Sequence, residues 1–299
     1  MKIKLTPVLI FLLLTSTVSA QATFPSWQPP QPRKSITLFA PKPFGGNNIF
    51  KGEKEVWLSD ALEESEANVF SEINDKEIAA YVSQVGANLA RYSPKPKRSF
   101  TFIVTTSEVP DAMTCGSGRI FITSGMLRLV KTEDELAGII AHEITHDTFS
   151  HIPKTFTRQL FWMAGTKKVS SAVEVRNKLE RLLQEYDEKP LASLGERLLG
   201  FSRFDELEAD RGAFYITYKA GYNPTALASA LDRYERETKD DVDKIDYQRA
   251  QLYALLLGSH PPTAQRSFAL SWETNWVKMP PRTSIYRSAA FDEMKRRIK

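Results

Sequence analysis

The sequence predicts an α+β fold in which many helices surround a small antiparallel or mixed sheet. Apolar residues recur at helical spacing from Asp75 to Tyr92. Two short runs rich in β-forming residues follow, Phe100 to Thr105 and Arg119 to Thr123. Beyond residue 130 the apolar residues again recur mainly with the period of a helix.

The N-terminal segment has the features of a secretory signal peptide over residues 1–20. Lys2 and Lys4 precede an apolar run, and small residues end the segment at Ala20. The apolar run is too short for a membrane span. Residues 21–50 are rich in proline and predict an extended, poorly packed leader.

Charge and cysteine content narrow the classes of function. The formal charge is +4, or +2 without Lys2 and Lys4 of the signal peptide, which argues against a nucleic-acid partner. No later stretch reaches the apolar length of a membrane helix, although peripheral membrane association stays open. Cys115 is the only cysteine, so the fold must be stabilised without an intramolecular disulfide.

The first half of the chain alternates helix and strand signals. A helix is indicated near Ser59, and a clearer one follows Asp75 as its N-cap. The strand from Phe100 to Thr105 leads into a loop rich in proline and glycine, and then into the strand from Arg119 to Thr123. A short helix is predicted from Ser124 to Leu129.

The next helix has the strongest start signal in the chain. Thr132 and Glu135 stand at the spacing of a capping box, with Thr132 as the N-cap. The helix should continue until Pro153, which we expect to end it.

The second half of the chain predicts helices throughout. Residues 154–200 are mostly amphipathic, a helix spans about Phe204 to Lys219, and another spans Asp243 to Leu257. We place the main domain at residues 51–275 and expect residues 276–299 to form a basic, loosely attached tail.

The capped helix carries the motif His-Glu-x-x-His. His142 and His146 lie about one turn apart, so both imidazoles project from one face. This spacing suits two positions of a tetrahedral zinc site, and Glu143 is placed to act as general base on the attacking water.

A catalytic zinc site needs a third protein ligand, and His151 is the nearest candidate. On a continuous helix it would lie about 140° around the axis from His146 and point away from the metal. We therefore interpret His151 as a residue near a helix C-terminus, stabilised by the helix dipole.

The acidic segment that begins the helix near Phe204 offers a better ligand. Glu206 and Asp210 share one face, together with the small residues Ala209 and Ala213 that would permit close helix packing. Glu208 points roughly opposite, towards solvent. Glu206 is thus the predicted third ligand, and Asp210 the predicted acceptor for the free N–H of a ligating histidine.

Three motifs in this order resemble the HtpX-type zinc metallopeptidase family, which also includes the CAAX prenyl endopeptidase, BepA and LoiP. The matching residues are His142-Glu143-x-x-His146 with His151, then Ser202-Arg203-x-x-Glu206-x-x-Ala209-Asp210, and then Ser259-His260-Pro261-Pro262. The resemblance implies a gluzincin-like metallopeptidase domain with one Zn²⁺ per chain on His142, His146 and Glu206, and with Glu143 as the base. The chain looks most like a stand-alone secreted form without tetratricopeptide repeats.

The resemblance also implies a role for His260. In BepA-like members the corresponding histidine lies on a loop that can approach the zinc and block it, so His260 is either a regulatory plug or a participant near the transition state. The residues alone indicate a turn. Asp111, Cys115 and Asp147 depart from the residue types usual in the family at these positions.

Together these features predict a zinc-dependent endopeptidase for unfolded or extended proteins. We expect an extended substrate to add as a strand beside Arg119, Ile120, Phe121, Ile122 and Thr123, which are interpreted as an edge strand. The signal peptide and the resemblance favour a periplasmic protein that degrades misfolded envelope proteins. The alternative is a zinc-containing chaperone of the envelope that binds such proteins without cleaving them.

Overall fold

A three-stranded sheet lies among helices in the computed structural model of this chain. The structure describes residues 23–32, 41–43, 45–65, 71–187, 203–238 and 286–298. The strands are β1 (Thr101–Thr105), β2 (Ala112–Gly116) and β3 (Arg119–Thr123). The described helices are α1 (Glu53–Ser65), α2 (Lys76–Ala90), α3 (Ser124–Leu129), α4 (Glu133–Thr148), α5 (His151–Ala164), α6 (Ala172–Asp187), α7 (Arg203–Ala220), α8 (Ala226–Thr238) and α9 (Ala289–Arg297). The α+β prediction is confirmed.

The sheet is mixed, and β3 is its central strand. β3 pairs with β1 in parallel and with β2 in antiparallel orientation. The prediction that Arg119–Thr123 is an edge available to a substrate is therefore wrong, because both sides of the strand are already hydrogen-bonded. The cause is β2, which occupies the segment predicted as a loop. Its residues are all buried, so the polar–apolar alternation that identifies a half-exposed strand is missing.

The predicted N-caps of two helices are present. Asp75 accepts hydrogen bonds from the N–H groups of Glu77 and Ile78 at 3.0 and 3.1 Å, and α2 follows it. Thr132 accepts from the N–H of Glu135 at 3.1 Å and starts α4. Local side-chain chemistry thus fixes where these helices begin.

Helix α4 ends earlier than the sequence predicted. It stops at Thr148, and Ser150 adopts a left-handed backbone conformation with φ of 58°. A new helix, α5, then begins at His151 and carries Pro153 in its first turn. The expectation that Pro153 ends the helix is wrong, because a first-turn proline has no intrahelical N–H bond to lose.

Both terminal segments within the described residues pack onto the domain. Phe24 and Trp27 contact the main core, and the Trp27 Nε1–H donates to Glu133 Oε1 at 2.7 Å. Phe291 and Met294 of α9 are fully buried in the same core. A poorly packed leader and a loosely attached tail are therefore wrong for residues 23–32 and 286–298, because half-buried aromatic residues of the first segment and buried apolar residues of the second pack onto the core.

Two apolar clusters lie on opposite faces of the sheet. Ile120 and Ile122 face the larger cluster, which also includes residues of α2, α4, α7 and α8. Phe121 faces the smaller cluster, formed with α1, α5 and α6. Because successive side chains of a strand point to opposite faces, β3 contributes residues to both apolar clusters. Among the described helices, none is both long and apolar enough to cross a membrane; the predicted signal peptide lies outside the described residues.

Candidate metal centre

Three buried side chains from two helices converge on one point. His142 and His146 project from α4, and Glu206 projects from α7. The two Nε2 atoms are 3.0 Å apart, and they lie 3.6 and 3.7 Å from the Glu206 carboxylate oxygens. Ligands of a tetrahedral zinc ion are separated by about 3.3–3.5 Å, given metal–ligand bonds of about 2.0–2.2 Å. The three donors therefore fit such an ion.

The partners of the other ring nitrogens strengthen this fit. His142 Nδ1 lies 3.1 Å from Asp210 Oδ1, within reach of a carboxylate oxygen that accepts hydrogen bonds from an imidazole N–H. His146 Nδ1 lies 2.9 Å from His151 Nδ1. If both ligating histidines carry their proton on Nδ1, the Nε2 lone pairs face each other beside a carboxylate. A buried cation removes the repulsion among these three groups.

Small residues allow α4 and α7 to approach closely. Ala209 and Ala213 are buried at the interface, as the sequence predicted. Gly212 is packed still more closely, because a Cβ atom at this position would lie 2.3 Å from Thr145 Cγ2 and Oγ1. Sequence reasoning missed Gly212, although a glycine between two buried alanines was a visible signal for close packing. The close approach brings Glu206 to the histidines.

Glu143 lies beside this centre at the wall of a largely apolar pocket. Its side chain is buried and it lines the pocket together with His142. The other lining residues come from the start of β2 and from α3, α4 and α8: Asp111, Ala112, Met126, Ile139, Leu227, Leu231 and Tyr234. A carboxylate at this position is placed to exchange protons with a substrate held in the pocket.

Asp147, directly after the second histidine, anchors the end of α4. Its carboxylate accepts from the Gly118 N–H at 2.7 Å and from the Thr114 hydroxyl at 3.3 Å, and it pairs with Arg98. Arg98 also pairs with Glu55 at 2.6 Å. Burial raises the pKa of the Asp147 carboxyl, and the Arg98 guanidinium opposes that rise. Helix α4 is thereby tied to the β2–β3 turn and to α1, a role of Asp147 that the sequence did not reveal.

His151 and Glu208 occupy positions that the sequence did not predict. His151 is fully buried, and its Nε2 lies 3.2 Å from Glu208 Oε2. Glu208 is itself buried, so its predicted orientation towards solvent is wrong. The predicted position of His151 at a helix C-terminus is also wrong, because α4 ends before it and α5 begins with it.

The structure brings four of the predicted site residues together: His142, His146, Glu206 and Asp210. His260 lies outside the described residues, and its role stays a prediction. Cys115 is fully buried, and burial raises the pKa of its thiol, which leaves it in the unreactive form.

Comparison with known proteins gives one family and several distant relatives. The family model of peptidase family M48 matches residues 76–274. The β-barrel assembly-enhancing protease of Escherichia coli K12 is 24% identical over 166 residues, which is 54% of this chain and 33% of that protein. Metalloprotease LoiP of the same organism is 25% identical over 159 residues, 52% of this chain and 56% of LoiP. Mitochondrial metalloendopeptidase OMA1 of Schizosaccharomyces pombe is 25% identical over 175 residues, 56% of this chain and 49% of OMA1.

Each of these relatives is matched over only part of its length. The chain spans about one third of the length of the β-barrel assembly-enhancing protease and about half of the length of the other two. The identity is about one quarter in each case.

Proposed function

The chain belongs to peptidase family M48, and from this we propose that it is a metalloendopeptidase that cleaves unfolded or extended segments of proteins with zinc as its metal. The observation that carries the proposal is the convergence of His142, His146 and Glu206 beside Glu143. We propose that His142, His146 and Glu206 bind the metal. Glu143 transfers the proton.

Proton transfer by Glu143 follows from its position beside, and not among, the three converging donors. When bound, zinc lowers the pKa of a water towards about 7 and polarises the scissile carbonyl. Glu143 takes a proton from the attacking water and delivers it to the leaving amine. The low exposure of Glu143 excludes bulk water from this transfer. Asp210 holds the ring of His142 in place at its Nδ1 atom, and His151 does the same for the ring of His146.

We place the substrate strand beside the start of β2, because β3 is central in the sheet. Within the described strands, β2 is hydrogen-bonded on one side only, to β3. Asp111 O accepts from the Thr123 N–H at 3.0 Å, so the ladder alternation turns the main-chain groups of Ala112 away from β3. Ala112 also lines the pocket that contains Glu143. A substrate backbone paired there would lie along the reacting groups, and main-chain pairing of this kind favours extended segments.

The apolar wall of the pocket supports a preference for one class of side chain. Met126, Ile139, Leu227 and Leu231 line it next to Glu143. We expect an aliphatic or aromatic side chain adjacent to the scissile bond to bind there, because its burial removes apolar surface from water.

The biological role that we propose is protein quality control in the cell envelope, with misfolded envelope proteins as substrates and the periplasm as the location. Two observations support it: residues 1–20 predict a signal peptide, and one relative is named for enhancing β-barrel assembly.

A direct test compares the wild-type chain with Glu143→Gln for zinc content and for cleavage of casein. We expect both proteins to bind zinc and only the wild type to cleave. Removal of zinc with a chelator should abolish wild-type cleavage, and added zinc should restore it. Equal cleavage by both proteins would refute the role of Glu143. Zinc binding without cleavage by the wild type, together with suppression of casein aggregation, would instead support the chaperone alternative.

A further inference from the structure

A buried pair of side chains, His151 and Glu208, extends the metal centre behind His146. His151 Nδ1 lies 2.9 Å from His146 Nδ1, and its Nε2 lies 3.2 Å from Glu208 Oε2. The rings of His146 and His151 are nearly perpendicular, at 81°. All three side chains are at least nine-tenths buried, which leaves these contacts shielded from water.

The break between α4 and α5 creates this arrangement. A continuous helix would carry His151 about 140° around the axis from His146. Instead, the left-handed conformation of Ser150 turns the chain and returns the His151 ring to the His146 ring. The backbone conformation is uncommon for a residue with a side chain, which indicates that surrounding contacts hold it.

Hydrogen-bond complementarity assigns the protons along this chain of groups. The Glu208 carboxylate is an acceptor, so a neutral His151 donates from Nε2 and presents its lone pair at Nδ1. His146 must then donate from its own Nδ1, which leaves its Nε2 lone pair directed at Glu206 and His142. We propose that His151, oriented by Glu208, is a positioning residue that fixes His146 in the tautomer able to bind the metal; this inference rests on the proposed function.

The two ligating histidines are therefore held by acceptors of different kinds. His142 faces the carboxylate of Asp210, whereas His146 faces a second imidazole whose far side meets a carboxylate. The sequence pattern predicted only the first of these. Loss of such an outer partner typically lowers metal affinity by about 10–100-fold.

The same cluster has the composition of a second metal site, since His151, Asp205 and Glu208 lie close together. Tautomer chemistry argues against that use. A cation on His151 Nε2 would move the ring proton to Nδ1, where it would meet the Nδ1–H of His146 at a nitrogen separation of 2.9 Å. Arg158 also lies 3.6 Å from Asp205, so a cationic group already faces this carboxylate.

The test measures zinc affinity of the full chain by competition with a chromophoric chelator, and it needs no proteolysis. His151→Phe removes the acceptor while keeping a planar ring, and we expect about a 10–100-fold loss of affinity. His151→Asn keeps an acceptor near the position of Nδ1 and should restore most of the affinity. A parallel readout is the visible absorption of the cobalt-substituted protein, which should shift in the Phe variant and return towards wild type in the Asn variant.

The possible results distinguish failure of the positioning role of His151 from failure of the proposed zinc-dependent function. Unchanged affinity in a folded His151→Phe variant, or equal losses in the Phe and Asn variants, would overturn the positioning role. Two zinc ions per wild-type chain, reduced to one by Glu208→Gln, would establish a second metal site instead. Absence of zinc binding by the wild type would refute the proposed function itself. Unfolding of the metal-free variants by urea shows whether each is folded when its affinity is measured.

Discussion

Replacement of Gly212 by alanine tests whether close helix packing builds the metal centre. A Cβ atom at this position would lie 2.3 Å from Thr145 Cγ2 and Oγ1 and 2.8 Å from Thr145 Cβ. Non-bonded carbon atoms prefer about 3.5–4.0 Å, so α7 must move from α4 by roughly 1 Å. The short, β-branched side chain of Thr145 has no flexible end that can swing aside.

The energetic cost combines two opposing effects. Overpacking of a well-filled interface typically costs about 1–3 kcal/mol, while alanine gains about 1 kcal/mol over glycine in a helix. A Cβ approach of 2.3 Å places the clash at the upper end of that range, at about 2–3 kcal/mol. After the helix-propensity gain we expect a net loss of about 1–2 kcal/mol, which corresponds to a fall in Tm of roughly 2–8 °C. Because metal ligands tolerate displacements of only about 0.2 Å, movement of Glu206 with α7 should also weaken zinc binding.

Thermal unfolding and chelator competition measure these two effects separately. Gly138→Ala is the matched control, since it lies on α4 and gains the same helix propensity. Its Cβ would meet Leu227 Cβ at 3.1 Å, a contact that a shift of a few tenths of an ångström relieves. We expect Gly138→Ala to change Tm and zinc affinity less than Gly212→Ala does. A Gly212→Ala protein with wild-type zinc affinity and an equal or higher Tm would refute the packing argument.

Three further predictions concern the buried Glu133 carboxylate, three tyrosines with raised pKa values and the side chain of Asp111. Glu133 is fully buried and accepts hydrogen bonds from the indole of Trp27 and the hydroxyl of Ser288, which belong to the two terminal segments. Glu133→Ala should therefore lower the free energy of unfolding, measured in urea, by about 3–4 kcal/mol. A loss below about 1 kcal/mol would contradict this. Burial raises the pKa of Tyr81, Tyr222 and Tyr234, so these side chains keep their protons in the folded state at a pH where the unfolded chain loses them. The free energy of unfolding should therefore fall as pH rises above about 10, and the phenolate absorbance of three of the ten tyrosines should appear only with unfolding. Asp111 Oδ1 accepts from the main-chain N–H of Ala112 at 2.8 Å, and we expect a substrate strand to pair with this same N–H. Asp111→Ala frees the N–H for the substrate, so it should lower KM by about 2–10-fold with little change in kcat. A raised KM would contradict that pairing.

The features that the sequence predicted depend on local geometry. The spacing of His142 and His146 fixes their shared face on any continuous helix, and Thr132 determines where that helix begins. The small residues beside Glu206 indicated a helix that packs closely, and the structure brings this residue to within 3.7 Å of both imidazoles. Each inference needed only the period of one helix and the chemistry of its side chains.

The features that the sequence missed depend on contacts between distant segments. β2 was not recognised because it is buried on both faces and shows no alternation. Asp147 looked like an isolated polar residue, although its partners Arg98 and Gly118 lie on other elements. The terminal segments looked loosely attached because their anchor, Glu133, lies far away along the chain.

The sequence by itself therefore determined the two histidines that we propose as metal ligands, their neighbouring glutamate and the helix that presents them. The tertiary structure alone decided that His151 contacts His146 on the side of its ring away from the three converging donors. Helical angles extend only as far as a helix is continuous, and a single left-handed residue, Ser150, ends that continuity after the motif. It turns His151 from a predicted residue at a helix end into a buried partner of His146, because the position of a side chain after a break depends on packing and no longer on spacing.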